Sequence, residues 1–96
     1  TYTARVFNGE EALAMGLATH VRNDPYTDAI ALAKEIAGKS PDAVRAAKRL
    51  FNGMRGWDSF EALRQETAEQ VALIGSPNQR EAIMANLEKR SPQFEG

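Results

Sequence analysis

The sequence predicts an all-α protein of about five helices, the first of them short. Apolar residues recur at three- and four-residue steps along most of the chain, which is the spacing of one helix face. Capping residues, Pro and Gly stand between these periodic segments, where helices begin and end. Strand-like residues are confined to short stretches near the N-terminus, so helix-on-helix packing is the expected architecture.

The first 22 residues are expected to contain one short helix between two extended pieces. The segment TARVF is partly β-branched or aromatic, as strands are. Asn8 and Glu11 then form a start similar to a capping box, and Gly16 suits the left-handed position that ends a helix. Residues 17–21 are expected to return as a second extended piece.

Each of the next two helices is expected to begin with an N-cap side chain followed by Pro in the first turn. Asp24-Pro25 begins a helix that Gly38 ends, and Ser40-Pro41 begins another, whose tail Gly53 and Gly56 weaken. The buried side of this second helix is expected to consist of Val44, Ala47, Leu50, Phe51 and Met54.

The longest helix is expected to begin at Asp58, with Glu61 completing its cap, and to end at Gly75. Its inner face should consist of residues at helical spacing, namely Phe60, Leu63, Thr67, Val71 and Ile74.

The last helix carries Leu87 on its expected core face, and Ser91-Pro92 stops it and leaves Phe94 in an exposed tail. Its start is open between two capping pairs, Ser76 with Gln79 and Asn78 with Glu81.

Length and composition restrict the classes of function. The 96 residues suffice for one small domain, and the absence of Cys excludes disulfides, Cys-ligated metals and thiol nucleophiles. A formal net charge of −1 provides no field to hold nucleic acid, and no apolar run is long enough for a membrane span or a signal peptide. A cytoplasmic protein is therefore expected. Its start at Thr1 fits either removal of Met or the beginning of a fragment.

Five short helices provide too few buried positions for all of the large apolar residues. Trp57, Phe60, Leu73 and Phe94 cannot all lie on one inner face per helix, and such surplus commonly marks a protein contact. We expect self-association or docking on a missing domain. Trp57, next to Gly56, is interpreted as a packing anchor.

No residue is nominated as catalytic or metal-binding. His20 is the one histidine, so no second imidazole is present for a relay or a metal site. The serines stand at helix ends, where a hydroxyl caps, and the glutamates are expected to form surface salt bridges.

Two basic groups are candidates for binding a phosphate through charge-assisted hydrogen bonds. Arg45, Lys48 and Arg49 lie on the third helix, whereas Lys89 and Arg90 end the last one. Lys89 is the sharper candidate because a ligand can approach the end of an element, although capping of the helix dipole explains it equally well.

Three segments carry a resemblance to a known family. RVFNGEEALAMGLATHV resembles a pattern of Arg, an aromatic residue, a small cap, Glu-Ala-Leu and Gly-Leu before a short strand. KSPDAVRAAK is similar to a Ser-Pro-x-Ala helix ending in Lys. REAIMANLEKRSPQF is similar to the signature Glu-Gly-x-x-Ala-Phe-x-Glu-Lys-Arg-x-Pro-x-Phe. In this order they resemble the enoyl-CoA hydratase/isomerase, or crotonase, superfamily, over residues 3–94.

The resemblance implies that this chain is the C-terminal third of a longer enzyme. Residues 1–22 would end the crotonase core, and residues 23–96 would form its C-terminal helical, trimerisation region. The oxyanion hole and the acidic residues that move protons would lie upstream, so the chain alone is expected to be inactive. Lys89 matches the Lys that faces the phosphates of CoA, whereas Asn86 and Ala82 replace the usual Phe and Gly.

The function expected from the resemblance is reversible hydration or isomerisation of enoyl-CoA thioesters, as in fatty acid metabolism, without a bound cofactor. The parent enzyme would be a homo-oligomer, a trimer or a dimer of trimers, with no nucleic-acid or membrane partner. The alternative is a stand-alone helical interaction or oligomerisation module without catalysis.

Overall fold

The computed structural model describes residues 2–96, and its regular structure is helical. No strand occurs among these residues, so the all-α prediction is confirmed. A 3₁₀ turn, Met54–Gly56, follows the third helix. The helices are α1 (Gly9–Ala14), α2 (Pro25–Ala37), α3 (Pro41–Gly53), α4 (Ser59–Leu73) and α5 (Pro77–Leu87).

The chain divides into two compact units, one reaching Lys34 and one of Glu35–Gly96. Within the first unit, residues 4–8 and 18–22 flank α1 but form neither helix nor strand. A strand needs a neighbouring strand for its backbone hydrogen bonds, and the described residues contain none. The division at residue 22 stays a prediction.

The predicted caps of α1 are present. The Asn8 side chain accepts a hydrogen bond from the Glu11 backbone N–H at 2.9 Å. At the other end Gly16 adopts a φ of 79°, and the Leu17 N–H donates to the Ala12 carbonyl at 2.9 Å. This Schellman motif places Gly where its missing Cβ avoids strain.

A fork of two hydrogen bonds joins α4 to α3. Arg49 donates through Nε and Nη2 to the two carboxylate oxygens of Glu69, both at 2.7 Å. The guanidinium holds the pKa of Glu69 below its usual value, mainly through these hydrogen bonds. The two helices therefore lie side by side over this part of their length.

The face that α4 turns towards α3 is not the one the sequence predicts. The half-buried side chains of α4 share the face of Glu69 and include Ala62, Gln65 and Leu73. The expected inner face points outward, since Phe60 is 76% exposed and Leu63, Val71 and Ile74 are exposed too. The fork from Arg49 lies on the opposite side of α4 from this stripe, and that opposite side is the one that faces α3.

The core within the described residues is small. Only Ala46, 2% exposed, and Ala85, 1% exposed, are fully buried apolar residues there. Leu87, expected in the core, is 70% exposed, so that expectation is wrong for this chain. The predicted surplus of exposed apolar surface is confirmed. It includes Phe51 and Met54, so the expectation that these two lie on the buried side of α3 is wrong.

Trp57 acts as a packing anchor, as predicted. Its indole lies against Gly53, where an added Cβ would come within 2.2 Å of Cη2. The close approach explains why α3 ends in a residue without a side chain.

Candidate functional site

The C-terminal end of α5 closes in a Schellman motif built around Lys89. The Arg90 N–H donates to the Ala85 carbonyl at 3.0 Å, and the Lys89 N–H donates to the Asn86 carbonyl at 3.3 Å. Lys89 therefore adopts a φ of 53°, a conformation that usually belongs to Gly. Its side chain is exposed and makes no ion pair with residues 2–96, so the ammonium is available to an anion.

Arg90 is engaged within the protein, in contrast to its neighbour. Its guanidinium donates to both oxygens of Glu81, at 2.5 and 3.2 Å, and to Glu88 at 2.6 Å. Arg90 lowers the pKa of Glu81 to about 2, with help from the Gln93 backbone N–H at 2.9 Å. Of the predicted basic pair, Arg90 is therefore held by contacts within the protein, whereas Lys89 forms no ion pair there.

The arginines of the basic group on α3 are likewise used within the protein. Arg49 forms the fork with Glu69, and Arg45 lies 3.9 Å from Asp42 and donates to the carbonyl of Gly96. Lys48, the third member of this group, is exposed and makes no ion pair with residues 2–96, so it stays a phosphate candidate beside Lys89.

A cavity of about 330 Å³ lies between α5, the start of α3 and the C-terminal tail. The tail contributes Pro92 and Phe94, and α5 contributes Ala85, Asn86 and other residues. Phe94 is half-buried here, which corrects the expectation that it lies in an exposed tail. The full lining is Gly38, Lys39, Ser40, Ala82, Ala85, Asn86, Arg90, Pro92 and Phe94.

The tail is attached to α5 by the side chain of Asn78, which is 4% exposed. Asn78 Nδ2 donates to Asp42 Oδ2 and to the Glu95 carbonyl, both at 2.8 Å. Asn78 Oδ1 accepts from the Glu95 N–H at 2.8 Å. The start of α5 is settled by Ser76, whose Oγ accepts from the Gln79 N–H at 3.3 Å.

The sequence indicates only a helix cap for Asn78 and Glu81, and it does not reveal their contacts to the tail. Their spacing resembles a capping pair, and nothing local distinguishes a cap from a tail contact. A polar residue inside a helix with an acidic residue one turn later was the one available signal.

The remaining residues considered for chemistry lie on the surface. His20 is exposed, and Glu61 pairs with Arg64 on α4 at 3.1 Å, as expected of surface glutamates. Across residues 2–96 no three His, Asp or Glu side chains come together as metal ligands would. No helix in that range is both long and apolar enough to cross a bilayer.

Comparison with known proteins decides the family. The family model described as enoyl-CoA hydratase/isomerase matches residues 1–96. The chain belongs to the enoyl-CoA hydratase/isomerase family. Its sequence is 34% identical to the mitochondrial methylglutaconyl-CoA hydratase of Mus musculus, over 99% of this chain and 32% of that protein. It is 33% identical to a probable enoyl-CoA hydratase of Bacillus subtilis, over 93% of this chain and 36% of that one.

Solved structures of this family have the same fold. The crystal structure of an enoyl-CoA hydratase from Bacillus anthracis matches with a TM-score of 0.90 and 31% identity, over 99% of this chain and 38% of that one. An enoyl-CoA hydratase from Polaromonas sp. JS666 matches with a TM-score of 0.82 and 25% identity, over 93% of this chain and 35% of that one. The chain spans about a third of the length of the curated relatives described above.

Proposed function

We propose that this chain is the C-terminal part of an enzyme that hydrates or isomerises enoyl-CoA thioesters. Membership of the family supports this, as do relatives named as a methylglutaconyl-CoA hydratase and a dienoyl-CoA isomerase. The chain would contribute an assembly surface and part of the coenzyme A site. The cytoplasmic location expected from the sequence stays a prediction, and some relatives are named as mitochondrial.

The thioester chemistry is assigned to residues outside this chain. In such a reaction two backbone N–H groups stabilise the negative charge that develops on the thioester oxygen, and carboxylates move the protons. The proposed substrate is the CoA thioester itself, and the proposed reaction uses no further cofactor. The chain alone would be inactive.

The outward face of α4 is the observation that carries the assembly role. Three large apolar side chains stand exposed along it, Phe60, Leu63 and Val71, and Ile74 is exposed directly after the helix. Burying one side chain of this kind is worth about 1.5–3 kcal/mol, so covering the face would stabilise a complex considerably. We propose that the face is covered in a homo-oligomer, a trimer or a dimer of trimers.

The assembly proposal is tested by the mass of the protein in solution. Phe60→Asp is expected to lower the oligomeric mass measured by size exclusion with light scattering, because a charge would be buried in the interface. Ala72→Asp is the matched control, since it adds the same charge to an exposed position on another side of α4. A monomeric wild-type protein without enoyl-CoA activity would instead favour a stand-alone helical module.

Lys89 carries the coenzyme A role. Its exposed side chain follows the end of α5, and its sequence neighbour Arg90 lines the first cavity together with Asn86. A lysine provides a mobile positive charge that suits a phosphate. We propose that Lys89 contacts the phosphates of CoA, with the thioester held elsewhere.

The test compares Lys89→Ala with Lys34→Ala, which removes the same charge from an exposed lysine on α2 outside both basic groups. Crotonyl-CoA is the probe, with kcat and KM measured in the full-length protein. Lys89→Ala is expected to raise KM about tenfold with little change in kcat, because a remote phosphate contact contributes to binding. An unchanged KM in Lys89→Ala, or an equal rise in Lys34→Ala, would refute the contact.

A further inference from the structure

The structure assigns Asn78 a role as a positioning residue for the wall of the proposed coenzyme A site. This inference rests on the proposed function, because it takes the cavity that Asn86, Arg90 and Phe94 line to belong to that site. Its basis is the set of three hydrogen bonds, each 2.8 Å long, that join the Asn78 carboxamide to Asp42 and Glu95.

The tail alternates between two sides of the molecule. Gln93 and Glu95 line a cavity of about 320 Å³ on the side of Asn78 and Glu81. Pro92 and Phe94 line the other cavity, the one shared with Asn86. Successive side chains of an extended segment point in opposite directions. Fixing residues 93 and 95 on one side therefore places residues 92 and 94 on the other.

Two side chains of α5 do this fixing through the main chain of the tail. Asn78 bonds both the N–H and the carbonyl of Glu95, and Glu81 accepts from the N–H of Gln93 at 2.9 Å. Glu81 also holds Arg90, which lines the cavity with Phe94. One helix face thus determines the place of both Phe94 and Arg90.

Asn78 is suited to this role by its burial and by its chemistry. It is the one buried polar residue among residues 2–96, and its amide both donates and accepts. A carboxylate at position 78 would face two acceptors, Asp42 Oδ2 and the Glu95 carbonyl, and would lose both donated bonds. Asn78→Asp should therefore release the tail.

The connection to function runs through Lys89. In the sequence Lys89 lies between Asn86 and Arg90, and both of these line the cavity whose wall the tail completes. Loosening of the tail removes Pro92 and Phe94 from that wall and weakens the binding of a CoA thioester. The chemical step, which is assigned to residues outside this chain, is not expected to change.

The experiment measures kcat and KM for crotonyl-CoA in the full-length protein, together with hydrogen exchange at the Gln93 and Glu95 amides. Asn78→Asp is expected to speed exchange at both amides and to raise KM by at least about fivefold, with kcat little changed. Asn52→Asp makes the same chemical change at an exposed position of α3 and should alter neither.

A double variant tests the bond itself. Asp42→Asn with Asn78→Asp exchanges the donor and the acceptor, so the 42–78 bond can form again and the Glu95 N–H keeps its acceptor, while the bond to the Glu95 carbonyl stays lost. KM and exchange should return towards wild type, which a general loss of stability would not produce.

Three outcomes would overturn the inference. In Asn78→Asp, KM could stay unchanged although the amides exchange faster, or the amides could stay protected. In the double variant, KM and exchange could be the same as in Asn78→Asp alone. If Asn78→Asp does not fold, Phe94→Ala removes the same wall without touching Asn78, and an unchanged KM there overturns the inference as well. An effect of Asn78→Asp without one of Lys89→Ala would refute the lysine contact and leave the positioning role standing.

Discussion

Replacement of Gly53 by Ala tests the packing of Trp57 against the end of α3. The backbone at Gly53 has a φ of −76° and a ψ of −29°, which any residue adopts. The added Cβ would lie 2.2 Å from Cη2 and 2.4 Å from Cζ2 of the indole. The variant therefore isolates one effect, the collision with a rigid aromatic ring.

The sign follows from two opposing contributions to the free energy of unfolding. Ala is favoured over Gly in a helix by about 1 kcal/mol. Relief of the collision requires the ring to move by more than 1 Å to reach ordinary contact at 3.4 Å. Overpacking of this kind costs about 1–3 kcal/mol, and a tryptophan that leaves its site costs more. The difference is a net destabilisation of up to roughly 2 kcal/mol, and more if the tryptophan leaves its site.

The assay is urea unfolding followed by Trp57 fluorescence, with Gly56→Ala as the control. An added Cβ at Gly56 meets no atom within 4 Å, so this variant should be neutral or slightly more stable. Gly53→Ala should also shift the emission of the folded protein to longer wavelength, because the indole becomes more exposed. If Gly53→Ala is as stable as Gly56→Ala, the packing described for Trp57 is incorrect.

Two more predictions concern the end of α5. Lys89→Gly should raise the free energy of unfolding by about 1 kcal/mol, because Gly adopts the left-handed conformation without strain, while KM for crotonyl-CoA rises with the loss of charge. A variant less stable than wild type would contradict this. Glu81 should make stability sensitive to acid, because Arg90 and the Gln93 N–H lower its pKa from 4.5 to about 2 in the folded protein. Its stabilising contribution is complete above about pH 4.5 and is lost as the pH falls towards about 2, so stability should fall more steeply over this range in wild type than in Glu81→Gln. Parallel urea midpoints for the two proteins would count against the contact.

The helices were predictable because their boundaries depend on near neighbours. The Asn8, Asp58 and Ser76 caps each bond an N–H three residues later, so a short stretch of sequence contains the whole interaction. The Schellman end at Gly16 is local in the same way.

The orientation of α4 was not predictable from periodicity. A regular apolar stripe shows that a surface will be covered, but not whether this chain or another covers it. Here Glu69, which bonds Arg49 twenty residues away, lies on the side of α4 that faces α3, and the stripe of Phe60 and Leu63 faces outward. The contact depends on how two helices pack, which the spacing within one of them does not reveal.

The candidate site was predicted in part. Lys89 came from a motif, and the structure shows that it is exposed at the end of a helix. Its CoA contact stays a prediction. The places of Asn78 and Phe94 were missed because Asn78 contacts Asp42 and Glu95, which lie 36 and 17 residues away. Such contacts are absent from any local pattern.

The pairing of Asn78 with Glu95 uses a side-chain amide as if it were a peptide group. Both bonds to residue 95 go to its main chain, so the recognition is indifferent to the Glu side chain. Every amino acid except proline offers the same N–H and carbonyl. Position 95 is thus free to vary in evolution, whereas a proline there would remove one of its two bonds to Asn78.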